Sequence, residues 1–537
     1  MPRSIRPDSG SAGSPTPNSV LASFREAPQA VVEFFLGTFV RDVLTFYPSC
    51  RVEREPIPSG MATIPEGNPT GSGFSLGFQL VEDAESLGHS LRVKLFNSWH
   101  RLRRRDGGNF SPQDCRLIGS IGSVLELRCH FILQWAHTSR LELNRGELGD
   151  HYIAACVESG SYAITSMNPS RVAATILTLR TMALSTYENR RVSTGALLLG
   201  NGAGIPGSNR YAPDETLRFG VELTGLKSLH RLCDGRRSVF LVDENGRLVD
   251  IVDIAQWAVD TDVLAPRSGD AYPPDLKADA HQTSEDESVP CARVYTPHAQ
   301  ATRRGGHICL VLSPNQEILV FAGGVQEFAF AHGRWRVLDP VAKFKIWRDA
   351  VADRRLARVL FQTALDMAEG RQGGLLVVVN DPAGATDRLI APGDLLRAPS
   401  CSTDRSYPSD SIAAEKDDEF SPGLGIASRP TDPPTKRALH YLARGCSAIS
   451  LDPPVLEALA AIDGALVTDS RGEVLAFGAI LRHDASLLSP PGQIQPTAIE
   501  GARTTAALAA SRFGPVLKIS EDGVVSCFLD GMRAWDL

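Results

Sequence analysis

From residue 190 onward, short apolar runs separated by turn residues occur twice in the same order, and that order points to an α/β fold. The first pass runs TGALLLG (194–200), a helix candidate LTGLKSLHRL, SVFLVDENGRLVDIVDI (238–254) and GHICLVLSPNQEILVFAGG (306–324). The second runs GGLLVVVND (373–381), the helix candidate PPVLEALAAI, GALVTDSRGEVLAFGAI (464–480) and PVLKISEDGVVSCFLDG (515–531). Each pass reads as strand, helix, hairpin, connection, second hairpin. Asn245-Gly246 and Arg471-Gly472 fall at corresponding hairpin tips, where a turn needs a residue at positive φ. Laid over one another without gaps, 237–254 and 463–480 share only Asp, Gly and Ile at three positions. The repeat therefore rests on element order rather than on residues.

Upstream, VVEFFLGTFVRDVL, VLELRCHFILQWA and AATILTLRTMALSTYE space their apolar residues by three and four, so 20–185 is expected to be mainly helical. FSLGFQLVED and HSLRVKLFNS, around 75–97, alternate more like strands. Residues 1–19, 264–292 and 396–436 are polar and rich in Pro or acidic residues. Such composition buries too little apolar surface to offset its ordering entropy. They read as a disordered leader, a linker and an insertion. A length of 537 residues suggests about three or four domains. The division is 20–185, 190–335 and 345–537, the last with an insertion at 396–436. The expected fold class is α/β.

A formal charge of −7 argues against nucleic acid or anionic lipid as a bulk electrostatic partner. Ten cysteines without a CxxC pair read as free thiols in a reducing compartment. Residues 1–19 have no apolar core for a signal peptide. The apolar stretch Ala30 to Val40, broken by Glu33, is far shorter than the roughly 20 residues that span a bilayer. No membrane partner and a cytoplasmic location are expected. Trp99-His100-Arg101-Leu102-Arg103-Arg104-Arg105 reads as a solvated helix face. Gly200-Asn201-Gly202-Ala203-Gly204 follows a strand, but Pro206 and Gly207 deny it the helix a dinucleotide loop needs.

Chemistry concentrates in the second pass. Asp463-Gly464-Ala465 lies between a helix candidate and an apolar strand, Gly501-Ala502-Arg503-Thr504-Thr505 opens a helix, and Ser520-Glu521-Asp522-Gly523 turns the last hairpin. A helix start offers N–H groups and positive potential to an anion. Gly501 would admit a phosphate, Arg503 would clamp its oxygens, and the Thr504 and Thr505 hydroxyls would add hydrogen bonds. Asp463 with Glu521 would supply hard oxygen ligands to Mg²⁺ or Mn²⁺. Taken singly, each signal is more often a solvated cap or an ordinary turn.

In sequence order these segments resemble the diadenylate cyclase (DisA N-terminal, or DAC) domain, in which a DGA motif is followed by a GTRHRAA helix and a VSEETG hairpin. ALDMAEGRQGGLLVVVND is similar to that family's opening helix and first strand, so the resemblance covers about 345–537. It implies a mixed-sheet domain in which Asp463 is the catalytic, metal-binding acid and Gly464 and Ala465 shape the nucleotide pocket. Gly501 and Arg503 match the phosphate-binding run, and Ser520 and Glu521 match the hairpin, Glu521 as a second metal ligand. Ala502, Thr504 and Thr505 depart from the pattern, standing where the family has Thr, His and Arg. Loss of such cations from a phosphoryl-transfer site costs orders of magnitude in rate. The first pass reads as a degenerate DAC-like unit, with Arg237-Ser238-Val239 at the DGA position and Tyr295-Thr296-Pro297-His298 at the helix opening. The region before it is similar to the probable sensor domain DACNV.

Three functions follow as expectations. One is a sensor or regulator that binds ATP or a cyclic dinucleotide. Another is an active diadenylate cyclase making cyclic di-AMP from two ATP with Mg²⁺ or Mn²⁺. The third is a non-catalytic interaction scaffold. The family works with two domains face to face, which implies either a homo-oligomer or an intrachain pseudo-dimer of the two repeats.

Overall fold

The computed structural model describes residues 29–55, 78–82, 89–96, 98–105, 108–135, 145–158, 170–187, 190–200, 217–226, 231–264, 288–396, 436–482 and 501–537. The leader and most of the 264–292 and 396–436 stretches lie outside them. The chain forms two compact units, residues 1–281 with 294–342, and residues 282–293 with 343–537. Both are mixed α/β.

In the first unit, α1 (Gln29–Phe46) precedes β1 (Cys50–Glu55), β2 (Phe78–Glu82), β3 (His89–Leu95) and β4 (Ser98–Arg104). These strands form an antiparallel sheet in the order β1-β4-β3-β2, in which β2 and β3 fall on the two segments expected as strands and β1 and β4 are additions. The basic run 99–105 lies on β4 rather than on a helix. Ser98, His100 and Leu102 are buried and alternate with partly exposed Trp99, Arg101 and Arg103, the period of a strand. Glu55 accepts ion pairs from both Arg92 and Arg101 at 2.5 Å, so part of that basic face is neutralised.

Helices α2 (Pro112–Trp135), α3 (Arg145–Glu158) and α4 (Arg171–Ala183) follow, then the short β5 (Thr186–Tyr187) and β6 (Arg190–Arg191). The first repeat comprises β7 (Thr194–Leu198), β8 (Ser238–Val242), β9 (Leu248–Asp253), α5 (Ile254–Leu264), α6 (Thr296–Ala301), β10 (Ile308–Leu312), β11 (Ile318–Ala322), β12 (Val325–Ala331) and β13 (Arg334–Val337). The helix candidate LTGLKSLHRL begins inside a 3₁₀ turn, Val221–Gly225, and residues 227–230 lie outside the described ones. Phe39, Ile121, Tyr152 and Ile176 share one core with Leu198, Phe240 and Leu310. The sequence boundary near 190 is therefore not a boundary of the core.

In the second unit, α7 (Pro340–Ala350) contributes Phe344 and Trp347 to a core with α8 (Arg354–Glu369). Asp353 caps α8 by accepting the Leu356 N–H at 2.8 Å. Leu356, Leu360, Phe361, Ala364 and Met367 then form its buried stripe. Next come β14 (Gly374–Val379), α9 (Pro382–Arg388), α10 (Pro453–Ala461), β15 (Ala465–Asp469), β16 (Val474–Ala479), α11 (Ala502–Ala510), β17 (Val516–Ile519), β18 (Val525–Leu529) and β19 (Met532–Asp536). β14 is buried on both faces. Leu376 and Val378 meet α8 and α10, while Leu375 and Val377 meet α11.

The two larger sheets have the same plan. One is ordered β9-β8-β7-β10-β11-β12-β13 and the other β16-β15-β14-β17-β18-β19. In each, the pairing along this order is parallel only between the second and third strands, β8 with β7 and β15 with β14. The hairpin tips match as well. Asp243 accepts the N–H groups of Asn245 and Arg247 at 2.8 and 2.7 Å, and Asp469 those of Arg471 and Glu473 at 2.9 and 2.8 Å. Gly246 and Gly472 follow at φ 76° and 88°. The shared Asp and Gly are thus the residues that fix this turn.

Candidate functional site

Sheet register determines which of the sequence candidates meet. Leu376 lies opposite Leu466, and Gly374 opposite Ile519. β14 and β15 run parallel and β17 antiparallel to β14, so Gly373 and Asp463, which precede β14 and β15, and Ser520, which follows β17, form a row along one end of the sheet. The alternation that buries Leu375, Ala465 and Val516 beneath α11 puts all three on the α11 face of the sheet. α11 leads directly into β17, so its first turn sits over the sheet end where β17 finishes. Asp463, Gly373, Ser520 and the start of α11 therefore share one end of the sheet.

Arg503 reaches into this row. Its Nη1 lies 3.2 Å from Glu521 Oε1, an exposed ion pair. The guanidinium also lies flat against Gly373, where a Cβ would stand 2.2 Å from Nη1 and 3.3 Å from Glu521 Cγ. Gly373 was not singled out from sequence. Its only signal is a second glycine ahead of a strand that needs one for packing, since a Cβ on Gly374 would meet Met367 and the Ala460 carbonyl.

The remaining candidates divide. Gly501 caps α11 at φ −56°, and among the described residues nothing lies within 4 Å of where its Cβ would stand. Its carbonyl accepts the N–H groups of Thr504 and Thr505 at 2.8 and 3.2 Å. Thr504 is buried, because one residue of helix turns it about 100° away from Arg503. It faces the sheet rather than the row, whereas Thr505 is half-buried. Gly464 has φ 123° and presses on β16, a Cβ there falling 2.3 Å from the Gly478 carbonyl carbon. Ala465 belongs to the core. The DGA segment is therefore partly a packing device, with Asp463 its exposed member. Ser520 and Glu521 sit on a tight turn closed by Ser520 N–H to Val524 O at 2.9 Å and Gly523 N–H to Ser520 O at 3.0 Å.

Among the described residues, no group of three or more His, Cys, Asp and Glu side chains is placed to hold a metal ion. Asp463 and Glu521 offer two carboxylates at one sheet end. That number suits a hard divalent cation which takes its other oxygens from water and phosphate. No helix of the described residues is long and apolar enough to cross a membrane. The nine described cysteines are free thiols.

No family model and no curated protein matches this chain. Among solved structures, a hypothetical membrane spanning protein from Bacillus cereus is similar over 36% of this chain and 72% of its own, at 16% identity. The TM-score is 0.22.

Proposed function

We propose that the second unit is a divergent diadenylate cyclase-like domain that binds an adenine nucleotide, ATP or a cyclic dinucleotide, and that the chain is a sensor or regulator. The observation that carries this reading is Arg503, seated on Gly373 at the first turn of α11 and in one row with Asp463. A guanidinium beside outward-pointing N–H groups is the arrangement that takes up phosphate oxygens. Asp463 and Glu521 would hold Mg²⁺ or Mn²⁺ against the same phosphates, and the cation would offset charge that Thr504 and Thr505 do not.

The alternative is catalysis, two ATP giving cyclic di-AMP. Exposed Asp463 beside the phosphate position favours it, while buried Thr504 in place of a cationic side chain weighs against it. One experiment separates the readings, with labelled ATP and Mn²⁺ given to wild type, Asp463→Ala and Arg503→Ala. Binding without turnover, weakened by Arg503→Ala, supports the regulator. Cyclic di-AMP that disappears with Asp463→Ala supports the cyclase. Neither binding nor product would leave an interaction scaffold.

A further inference from the structure

α8 ends in a Schellman motif. The Arg371 N–H reaches the Ala368 carbonyl at 3.1 Å, and the Gln372 N–H reaches the Met367 carbonyl at 2.9 Å. The residue that must then adopt left-handed backbone is Arg371, at φ 54°. Glycine is the usual occupant of that position. Here glycine stands at 370, 373 and 374, all around the strained position but not on it. A long cationic side chain in a conformation that favours glycine points to a use for the side chain.

The use is visible in the structure. Arg371 Nη1 donates to the carbonyl of Asp522, in the turn between β17 and β18. The turn is shaped to receive it. Gly523 has φ 82°, and a Cβ there would fall 2.3 Å from the same nitrogen. That turn holds Ser520 and Glu521, and Glu521 in turn engages Arg503. Two residues after Arg371, the chain passes Gly373, on which the Arg503 guanidinium rests.

We propose that Arg371 is a positioning residue. It ties the end of α8 to the Ser520–Gly523 turn and so fixes Glu521 and the seat of Arg503 for a phosphate-bearing ligand. The role toward the ligand rests on the nucleotide reading above; the tie itself does not.

The test is Arg371→Gly, which keeps the left-handed backbone and removes the side chain that makes the tie. Three readouts are compared with wild type: thermal unfolding, hydrogen exchange of peptides covering 518–526, and affinity for ATP with Mn²⁺. The expected result is unfolding that is unchanged or shifted upward, exchange at the turn at least about tenfold faster, and ATP affinity reduced about threefold to tenfold. Arg371→Lys, which keeps a donor long enough to reach the carbonyl, should restore part of the protection. Unchanged exchange in Arg371→Gly would overturn the tie. Faster exchange with unchanged affinity would overturn the positioning role. Absence of ATP binding by wild type would instead remove the nucleotide reading, and the role toward a ligand with it, whatever the exchange shows.

Discussion

Replacing Gly464 by alanine should cost the second unit far more than replacing Gly501, although both glycines belong to the same candidate site. Gly464 has φ 123°, in a region occupied essentially by glycine, where another residue costs on the order of 1–3 kcal/mol. The new Cβ would stand 2.3 Å from the Gly478 carbonyl carbon and 2.7 Å from the Ala479 nitrogen, both backbone atoms of β16. Relieving that overlap moves β16 by roughly an ångström and loosens one or two ladder bonds, at about 1 kcal/mol each. The total is about 2–5 kcal/mol, or a loss of exchange protection of at least ~30-fold. Gly501, at φ −56° with nothing within 4 Å, should tolerate alanine within about 0.5 kcal/mol. Hydrogen exchange of peptides from 464–480, followed by mass spectrometry, reads this segment separately from the first unit. If Gly464→Ala keeps its protection within about threefold of wild type, the close approach of β15 and β16 is not what this glycine serves.

Three further outcomes are expected. Gly373→Ala places a Cβ 2.2 Å from Arg503 Nη1 and should displace that side chain, weakening ATP binding about tenfold in equilibrium dialysis while the melting temperature stays within a few degrees. Asp366 accepts the Arg293 N–H at 2.6 Å and an ion pair from Arg293 Nη1 at 2.8 Å. Burial, with a smaller push from Glu457, nevertheless raises its carboxyl to about 6, against the pull of Arg293 and Gln362. The folded value lies above the unfolded one of about 3.9, so this group's contribution is complete below pH ~4 and is lost as pH rises to ~6, up to about 3 kcal/mol. Urea titrations of the wild type should show that slope, and Asp366→Asn should flatten it. In the first unit, buried Asp150 accepts Trp335 Nε1 at 2.9 Å and pairs with Arg180 at 2.7 Å. Asp150→Ala leaves both without that partner and should lower stability by about 3–5 kcal/mol in urea unfolding.

Much of the second unit was legible because strand periodicity and turn chemistry act over a few residues. Asp-x-x-Gly at 243–246 and at 469–472 specifies its own turn in both sheets, whatever surrounds it. The run 99–105 was misread as a helix face because its arginines dominate the eye. The period of two, visible in Ser98, His100 and Leu102, was the better guide. The shared core of 20–185 and 190–335 could not be read locally, since it joins residues such as Phe39 and Leu310 that are far apart in sequence. At the candidate site, sequence supplied the charged groups but not their seats. Gly373 and Arg371 matter only because α11 and the β17–β18 turn pack beside the end of α8, a placement that no local pattern encodes.

The one parallel pair of the second sheet, β14 with β15, sets an order of assembly. β17, β18 and β19 are joined by tight turns and can zip within microseconds, as hairpins do. β14 ends at Val379 and β15 begins at Ala465, so their pairing must close a long intervening segment first. That entropy is met before any contact repays it, although each doubling of the loop adds only about 0.6 kcal/mol. Asp463 and Gly373 enter one row only when this closure is complete. A newly made chain thus holds its C-terminal meander before Asp463 and Gly373 reach the same sheet end, and any ligand spanning them would favour the finished state over every earlier one.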